Sequence, residues 1–162
     1  MNYTEPHVPI PEDIIPRMLT FANLAPSDTL FELGAGDGRI VIVAARDFHA
    51  KVVGVEIRKR LAMECRRRVK ELGLTDQVRI LCSNFKKVSL RKADVLATYL
   101  SSYTLNLLTP KFERELRTGA RIVNFDYEIP AWKPARELKL IPAGWKTQHS
   151  IYMYSVGESG AR

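Results

Sequence analysis

Between Glu32 and Gly38 the chain reads Glu-Leu-Gly-Ala-Gly-Asp-Gly, and a second apolar run, Lys51-Val52-Val53-Gly54-Val55, ends at Glu56. Glycines let a ligand approach the backbone where a Cβ would stand in the way. An acidic residue at the tip of the next strand can accept both hydroxyls of a ribose. The pattern points to a nucleoside ligand lying across the first two strands. Its expected contacts are Glu32, Gly34, Ala35, Gly36, Asp37 and Gly38 from the turn, with Glu56 and Ile57 from the second strand.

The spacing of the glycines narrows the ligand. The turn is Gly-x-Gly-x-Gly, whereas a dinucleotide turn is Gly-x-Gly-x-x-Gly and seats a pyrophosphate on a helix N-terminus. Glu32 and Asp37 flank the turn, and carboxylates are poor neighbours for a pyrophosphate. They suit a ligand carrying an ammonium and a sulfonium, which is S-adenosyl-L-methionine. Each acid also has a plainer reading. Asp37 can cap the following helix as well as touch the methionine part of the cofactor. Glu56 can be a surface carboxylate paired with Arg58 or Lys59.

In an open α/β sheet, ligands sit beyond the carboxyl ends of the strands, so those ends supply the remaining candidates. After the third strand come Ser83-Asn84-Phe85, where Asn84 can hydrogen-bond and Phe85 can stack on adenine, or both can simply fill a loop. The fourth strand ends in Thr98-Tyr99-Leu100, with Thr98 on the cofactor side. The fifth ends in Asn124-Phe125-Asp126-Tyr127. Tyr99 and Asp126 are the candidate catalytic residues, and for both a packing or local hydrogen-bonding role is the alternative. No metal site is expected, because His7, His49 and His149 are scattered without ligand spacing.

These residues need a sheet to bring them together. Apolar runs predict strands over 29–33, 51–56, 77–81, 93–99 and 121–125, with two more over 136–141 and 148–156. Helical spacing predicts helices over most of 12–25, over about 38–47, over 58–72 with Gly73 as its stop, and over 101–117 with a break at Pro110. Pro16 should delay or kink the first helix. Strand–helix alternation implies a parallel sheet with right-handed crossovers. The link Pro142-Ala143-Gly144-Trp145 is too short for a crossover, so the closing strand should be antiparallel. The expected fold is a seven-stranded, Rossmann-like α/β sheet on one domain, 1–162. Residues 1–11, with Pro6, Pro9 and Pro11, should be extended.

Composition sets limits. The 162 residues can bury one sizeable core. No apolar run is long enough to span a bilayer, and the N-terminus does not read as a signal peptide. Cys65 and Cys82 form no C-x-x-C pair, which suggests a reducing compartment and a cytoplasmic protein. The net charge of +7 favours acidic partners, nucleic acid included. The densest basic run, Arg58 to Lys70, lies on one predicted helix with Glu64 and Glu71 as internal partners.

Taken in order, the Pro9-x-Pro11 start, the Glu32–Gly38 turn, Gly54-Val55-Glu56, Asn84-Phe85, Thr98-Tyr99-Leu100 and the Glu128–Pro134 segment resemble the small archaeal protein-lysine methyltransferases of broad specificity. These are class I S-adenosylmethionine-dependent enzymes, related to the mitochondrial enzyme that methylates a lysine of the ATP synthase c-subunit. The resemblance covers nearly the whole chain. It implies a monomer that transfers methyl groups to lysine ε-amines of many proteins, nucleic-acid-associated proteins among them, and has no membrane partner. It implies that Tyr3 to Pro11 form a lid over the cofactor and help shape the lysine channel. It also implies that Tyr99 lines that channel or takes a proton through water, while Asp126 attracts the incoming lysine.

Other readings remain open on the sequence. An RNA or DNA methyltransferase on the same fold fits the charge. The usual Asn/Asp-Pro-Pro-aromatic loop of enzymes that methylate base amines is replaced here by Thr98-Tyr99-Leu100-Ser101, and neither cysteine is placed for attack on a cytosine. Small-molecule methylation lacks a dedicated cap beyond the lid. A non-catalytic cofactor-binding module is the reading from a different class, and a nicotinamide oxidoreductase fits least.

Overall fold

The computed structural model describes residues 5–157. Tyr3 and the rest of 1–4, part of the expected extended segment, lie outside them, as do 158–162. Residues 5–11 form neither helix nor strand.

The strands are β1 (Thr29–Leu33), β2 (Lys51–Glu56), β3 (Val78–Cys82), β4 (Val95–Thr98), β5 (Arg121–Phe125), β6 (Arg136–Leu140) and β7 (His149–Ser155). They form one sheet in the order β3-β2-β1-β4-β5-β7-β6. The pairs from β3 to β5 are parallel, and β7 runs antiparallel to both β5 and β6. The order changes direction at β1, with β2 on one side and β4 on the other. The connections after β1 and β4 leave toward opposite faces of the sheet, which leaves a crevice beyond their carboxyl ends.

Alternation along the strands sorts the core into two layers. Leu30, Val52, Val95 and Val123 face α1 (Ile14–Phe21), α2 (Arg39–Phe48) and α3 (Lys59–Glu71). Phe31, Leu33, Leu96 and Ile122 face α4 (Ser102–Glu115). Glu32 falls on the α2 face by the same alternation, which buries a carboxylate beneath the glycine turn.

Pro16 agrees with a delayed start of the first helix, whereas Pro110 departs from the sequence reading. α1 begins at Ile14, so Pro16 falls in the first turn, where its missing N–H has no helical partner to lose. α1 ends at Phe21 in a cap where Asn23 (φ +51°) is left-handed and the Leu24 N–H reaches the Leu19 carbonyl at 3.1 Å. Pro110 does not break α4, which runs through it from Ser102 to Glu115. Leu105, Leu108 and Phe112 are buried on either side of it, and this packing outweighs a local cost of about 3 kcal/mol.

The segment after β5 carries no helix. It is pinned by Trp132, whose ring meets Phe112 and Tyr154 edge-on at 6.4 and 6.2 Å. The Trp132 indole N–H donates to Glu113 at 3.2 Å, and the Ile129 N–H donates to the buried Tyr154 hydroxyl at 2.9 Å. The basic run on α3 is largely spent internally. Arg67 pairs with Glu71 at 2.7 Å, Arg60 with Glu64 at 3.8 Å, and Arg66 donates to the Ile80 carbonyl at 2.9 Å.

Candidate active site

The turn after β1 is built by its neighbours. The N–H groups of Gly34 and Ala35 both donate to the Val55 carbonyl, at 2.8 and 3.0 Å, which closes the end of β1 onto β2. Gly38 has φ +87°, and a Cβ there would stand 2.3 Å from the Cys65 sulfur. It is glycine for helix packing as well as for conformation. The same packing pushes the Cys65 thiol up to about 12, through burial and then the Glu32 charge, so it is no nucleophile.

Glu56 is buried rather than on the surface, although its link to Arg58 exists. Its Oε2 accepts the Gly36 N–H at 2.9 Å, and its Oε1 accepts the Arg58 N–H at 2.8 Å. Each carboxylate oxygen has a second acceptor site, so the tip of β2 keeps capacity for two hydroxyls. Glu32 lies deeper, its Oε2 accepting the Val41 N–H at 3.1 Å. Burial raises its pKa well above the carboxylate range. The Val41 hydrogen bond opposes that, and the charges of Asp37 and Glu56 add to it.

Asp37 does not cap α2, whose N-cap is Gly38 without a side-chain bond. Its carboxylate meets Arg39 Nε at 3.1 Å and Arg68 Nη1 at 3.3 Å, and Arg68 also donates to the Asp37 carbonyl at 2.8 Å. Two guanidinium groups thus compensate this acid, whereas Glu32 has none.

These acids border a cleft of about 510 Å³, open to solvent. Its floor is Glu32, Gly34, Ala35, Gly36, Asp37 and Glu56, and Tyr99 and Leu100 from the end of β4 form one wall. Pro6 to Ile10 of the N-terminal segment also line the cleft. That strap is tied at Glu5. The Arg58 guanidinium donates to the Glu5 carbonyl, and the Glu5 carboxylate accepts the Ser101 N–H at 3.1 Å and hydroxyl at 2.5 Å. His7 lies directly over the turn, its Cε1 2.8 Å from where a Cβ on Gly36 would be.

Other sequence candidates fall outside the cleft lining. Ile57 is 48% exposed, one residue beyond Glu56. Asn84 spends its side-chain oxygen on the Lys86 N–H at 2.9 Å, capping the short turn Phe85–Lys87, and Phe85 packs half-buried against the α4-side core. Thr98 is buried and donates to Asn124 Oδ1 at 2.6 Å. Asn124 is a residue the sequence reading passed over. Its amide also donates to the Tyr127 carbonyl, so it holds the ends of β4 and β5 together.

Tyr99 sits half-buried, its ring 5.3 Å from Phe125 and 6.1 Å from Tyr127. Burial, then Asp126 and Tyr127, push its hydroxyl up to about 12. The neutral hydroxyl can both donate and accept a hydrogen bond. Asp126 stands just past β5 with both oxygens on His149 Nδ1, at 2.7 and 2.9 Å. His149 is the second residue missed. Its partner is 23 positions away and adjacent only through the β5–β7 pairing.

The donor set fits S-adenosylmethionine. It offers a glycine turn lining the cleft beneath His7, hydroxyl acceptors at Glu56, and a buried carboxylate at Glu32 whose ionised form a neighbouring cation would favour. Comparison with known proteins agrees. The chain is 37% identical over 94% of its length to the protein-lysine N-methyltransferase of Saccharolobus islandicus, of which it covers 94%. It is 32% identical over 65% of its length to the mouse adenine nucleotide translocase lysine N-methyltransferase, but spans only 46% of that protein. A crystal structure described as an RNA methyltransferase from Salinibacter ruber, in complex with S-adenosyl-L-homocysteine, superposes with a TM-score of 0.87. It is 33% identical, covering 93% of this chain and 95% of that one. Residues 32–136, from the acid before the glycine turn to the first residue of β6, match the model of the ANTKMT methyltransferase domain, and the chain belongs to that family.

Proposed function

We propose that this chain is an S-adenosylmethionine-dependent protein-lysine N-methyltransferase that acts on exposed lysines of several proteins. The observation that carries the reading is the near full-length identity to the Saccharolobus islandicus enzyme, joined to a cleft bordered by the glycine turn, two buried glutamates and Tyr99.

Gly34 to Gly36 present backbone to the cofactor, Glu56 accepts its ribose hydroxyls and Glu32 balances its positive charge. When bound, the cofactor supplies a methyl group already activated on a sulfonium. The strap from Glu5 to Ile10 acts as the lid over the cofactor. Tyr99 and Tyr127, backed by the buried Phe125, give the incoming lysine an apolar wall. A free lysine has a pKa near ~10.4, and such a wall lowers it by disfavouring the ammonium form. Asp126 draws the cation toward that wall, and Tyr99, as a neutral hydroxyl, positions rather than deprotonates. Asn124 keeps Thr98 and Tyr99 in place. Ile57 offers an apolar surface beside the adenine.

The free cysteines Cys65 and Cys82 favour a cytoplasmic setting. Among the described residues, no helix is long and apolar enough to cross a membrane.

The Salinibacter ruber structure and the net charge of +7 favour a second reading, methylation of RNA. Purified protein with methyl-labelled cofactor and a cell lysate separates them. Label on lysines of several proteins that survives nuclease supports the first reading. Label removed by nuclease and spared by protease supports the second.

A further inference from the structure

Asp126, His149 and Thr147 form a hydrogen-bonded chain joined to Tyr99 through Phe125. Asp126 has φ +68°, a left-handed conformation that aspartate tolerates better than most residues. Its N–H donates to the Ser150 carbonyl at 2.8 Å, which pins it to β7. An ionised carboxylate only accepts, so the His149 Nδ1 facing it carries a hydrogen. In the neutral ring, Nε2 then accepts the Thr147 hydroxyl at 2.8 Å. Two aromatic rings also hold the imidazole. Phe125 stacks on it at 5.8 Å and Trp145 meets it edge-on at 4.5 Å.

This much constraint is unusual for a half-buried loop carboxylate, and its location gives it a use. Phe125 is the shared neighbour of His149 and Tyr99, and Tyr127 stacks on Tyr99 while remaining 41% exposed. Asp126 is therefore a carboxylate beside aromatic faces, a combination that attracts an alkylammonium by charge and by cation–π contact. A carboxylate free to rotate would follow the ammonium and hold it protonated. His149 occupies acceptor capacity on both oxygens and limits that movement.

We propose that His149 is a positioning residue for the lysine substrate. By fixing Asp126 beside Tyr99 and Tyr127, it sets the point at which the substrate ammonium is captured before methyl transfer. This rests on the lysine methyltransferase reading above.

The test is steady-state methylation of a lysine peptide by wild type, His149→Ala, His149→Asn, Asp126→Asn and the double variant His149→Ala/Asp126→Asn. Calorimetric binding of S-adenosylhomocysteine reports on the fold and the cofactor site. His149→Ala should raise the peptide KM about tenfold, with kcat changed less than about threefold and cofactor-product affinity unchanged. His149→Asn places an amide N–H where Nδ1 stood and should restore most of the KM. Asp126→Asn should raise KM as much as His149→Ala, and the double variant should be no worse than Asp126→Asn. An unchanged KM in His149→Ala overturns the proposal. So does a joint fall in kcat and cofactor-product affinity that His149→Asn shares. A wild type that methylates RNA and no lysine peptide overturns the underlying reading as well, whereas an active wild type with an unmoved KM overturns only this inference.

Discussion

Glu56 Oε2 accepts the Gly36 N–H at 2.9 Å, so the acid at the tip of β2 holds the middle glycine of the turn after β1. Two features that the sequence presents as separate ligand contacts are thus one hydrogen-bonded unit. The carboxylate meant for a ribose also fixes the backbone beside it. Pre-ordering of this kind reduces the ordering cost of binding.

Glu56→Ala removes a buried acceptor from two backbone N–H groups. It should lower stability by about 1–3 kcal/mol and weaken S-adenosylmethionine binding by ~100-fold. Glu56→Gln keeps the volume and one acceptor and should be intermediate. Chemical denaturation and calorimetry measure the two effects separately. Tight binding by Glu56→Ala would exclude this residue from the cofactor site.

Glu32 makes a prediction in which stability and binding diverge. Its folded pKa is raised, so its contribution to stability is present below the unfolded value and lost as pH rises through the folded one. At neutral pH, Glu32→Gln should therefore melt no lower than wild type, and higher if the acid is ionised there. The same variant should bind S-adenosylmethionine ~10-fold more weakly, because a cation beside Glu32 requires the carboxylate. Wild-type affinity should accordingly increase with pH. A Glu32→Gln protein with a lower melting temperature and full affinity would contradict this assignment.

The strap gives a kinetic prediction. Arg58→Ala removes the guanidinium that donates to the Glu5 carbonyl but leaves the Glu56 carboxylate in place. Amides of residues 7, 8 and 10 should exchange faster with solvent, and the cofactor should dissociate ~10-fold faster. Stopped-flow displacement reads the second quantity. Unaltered dissociation would make the strap a bystander.

Glu115 tests the packing behind the site. It accepts the Leu90 N–H at 3.0 Å and Lys111 Nζ at 2.8 Å, and its pKa falls to about 2. Burial alone would raise it, so the hydrogen bonds from Lys111, Leu90 and Arg114 prevail. A depressed folded pKa adds stability above the unfolded value, and that stability is lost as pH falls toward about 2. Glu115→Gln should cost about 1–3 kcal/mol at neutral pH and lose less than wild type on acidification below about pH 4. Urea titrations across that range provide the measurement.

What the sequence made legible follows from the range of the interactions involved. The strands of the sheet carry local alternation, and the Glu32–Gly38 turn and Glu56 lie on adjacent elements, so a short window contains their logic. Pro110 misled because a local rule was outweighed by the burial of Leu105, Leu108 and Phe112. Asn84 was placed beside adenine from its position after β3, and the cap its side-chain oxygen makes on the short turn that follows was not legible there. Asn124 and His149 were missed because their partners Thr98 and Asp126 come into reach only through the pairings of β4 with β5 and β5 with β7. Tyr99 is a further case of long-range pairing. Its aromatic surroundings and the Asp126 charge, which keep the hydroxyl protonated, come from β5 and the residues beyond it.

The central claim is that the methyl group goes to lysine nitrogen. Labelled S-adenosylmethionine should be incubated with the enzyme and equal masses of a lysine-rich protein and a structured RNA, each acceptor then hydrolysed to its monomers. The account predicts label in Nε-methylated lysine, abolished by Glu56→Ala. Label confined to methylated nucleosides would contradict it.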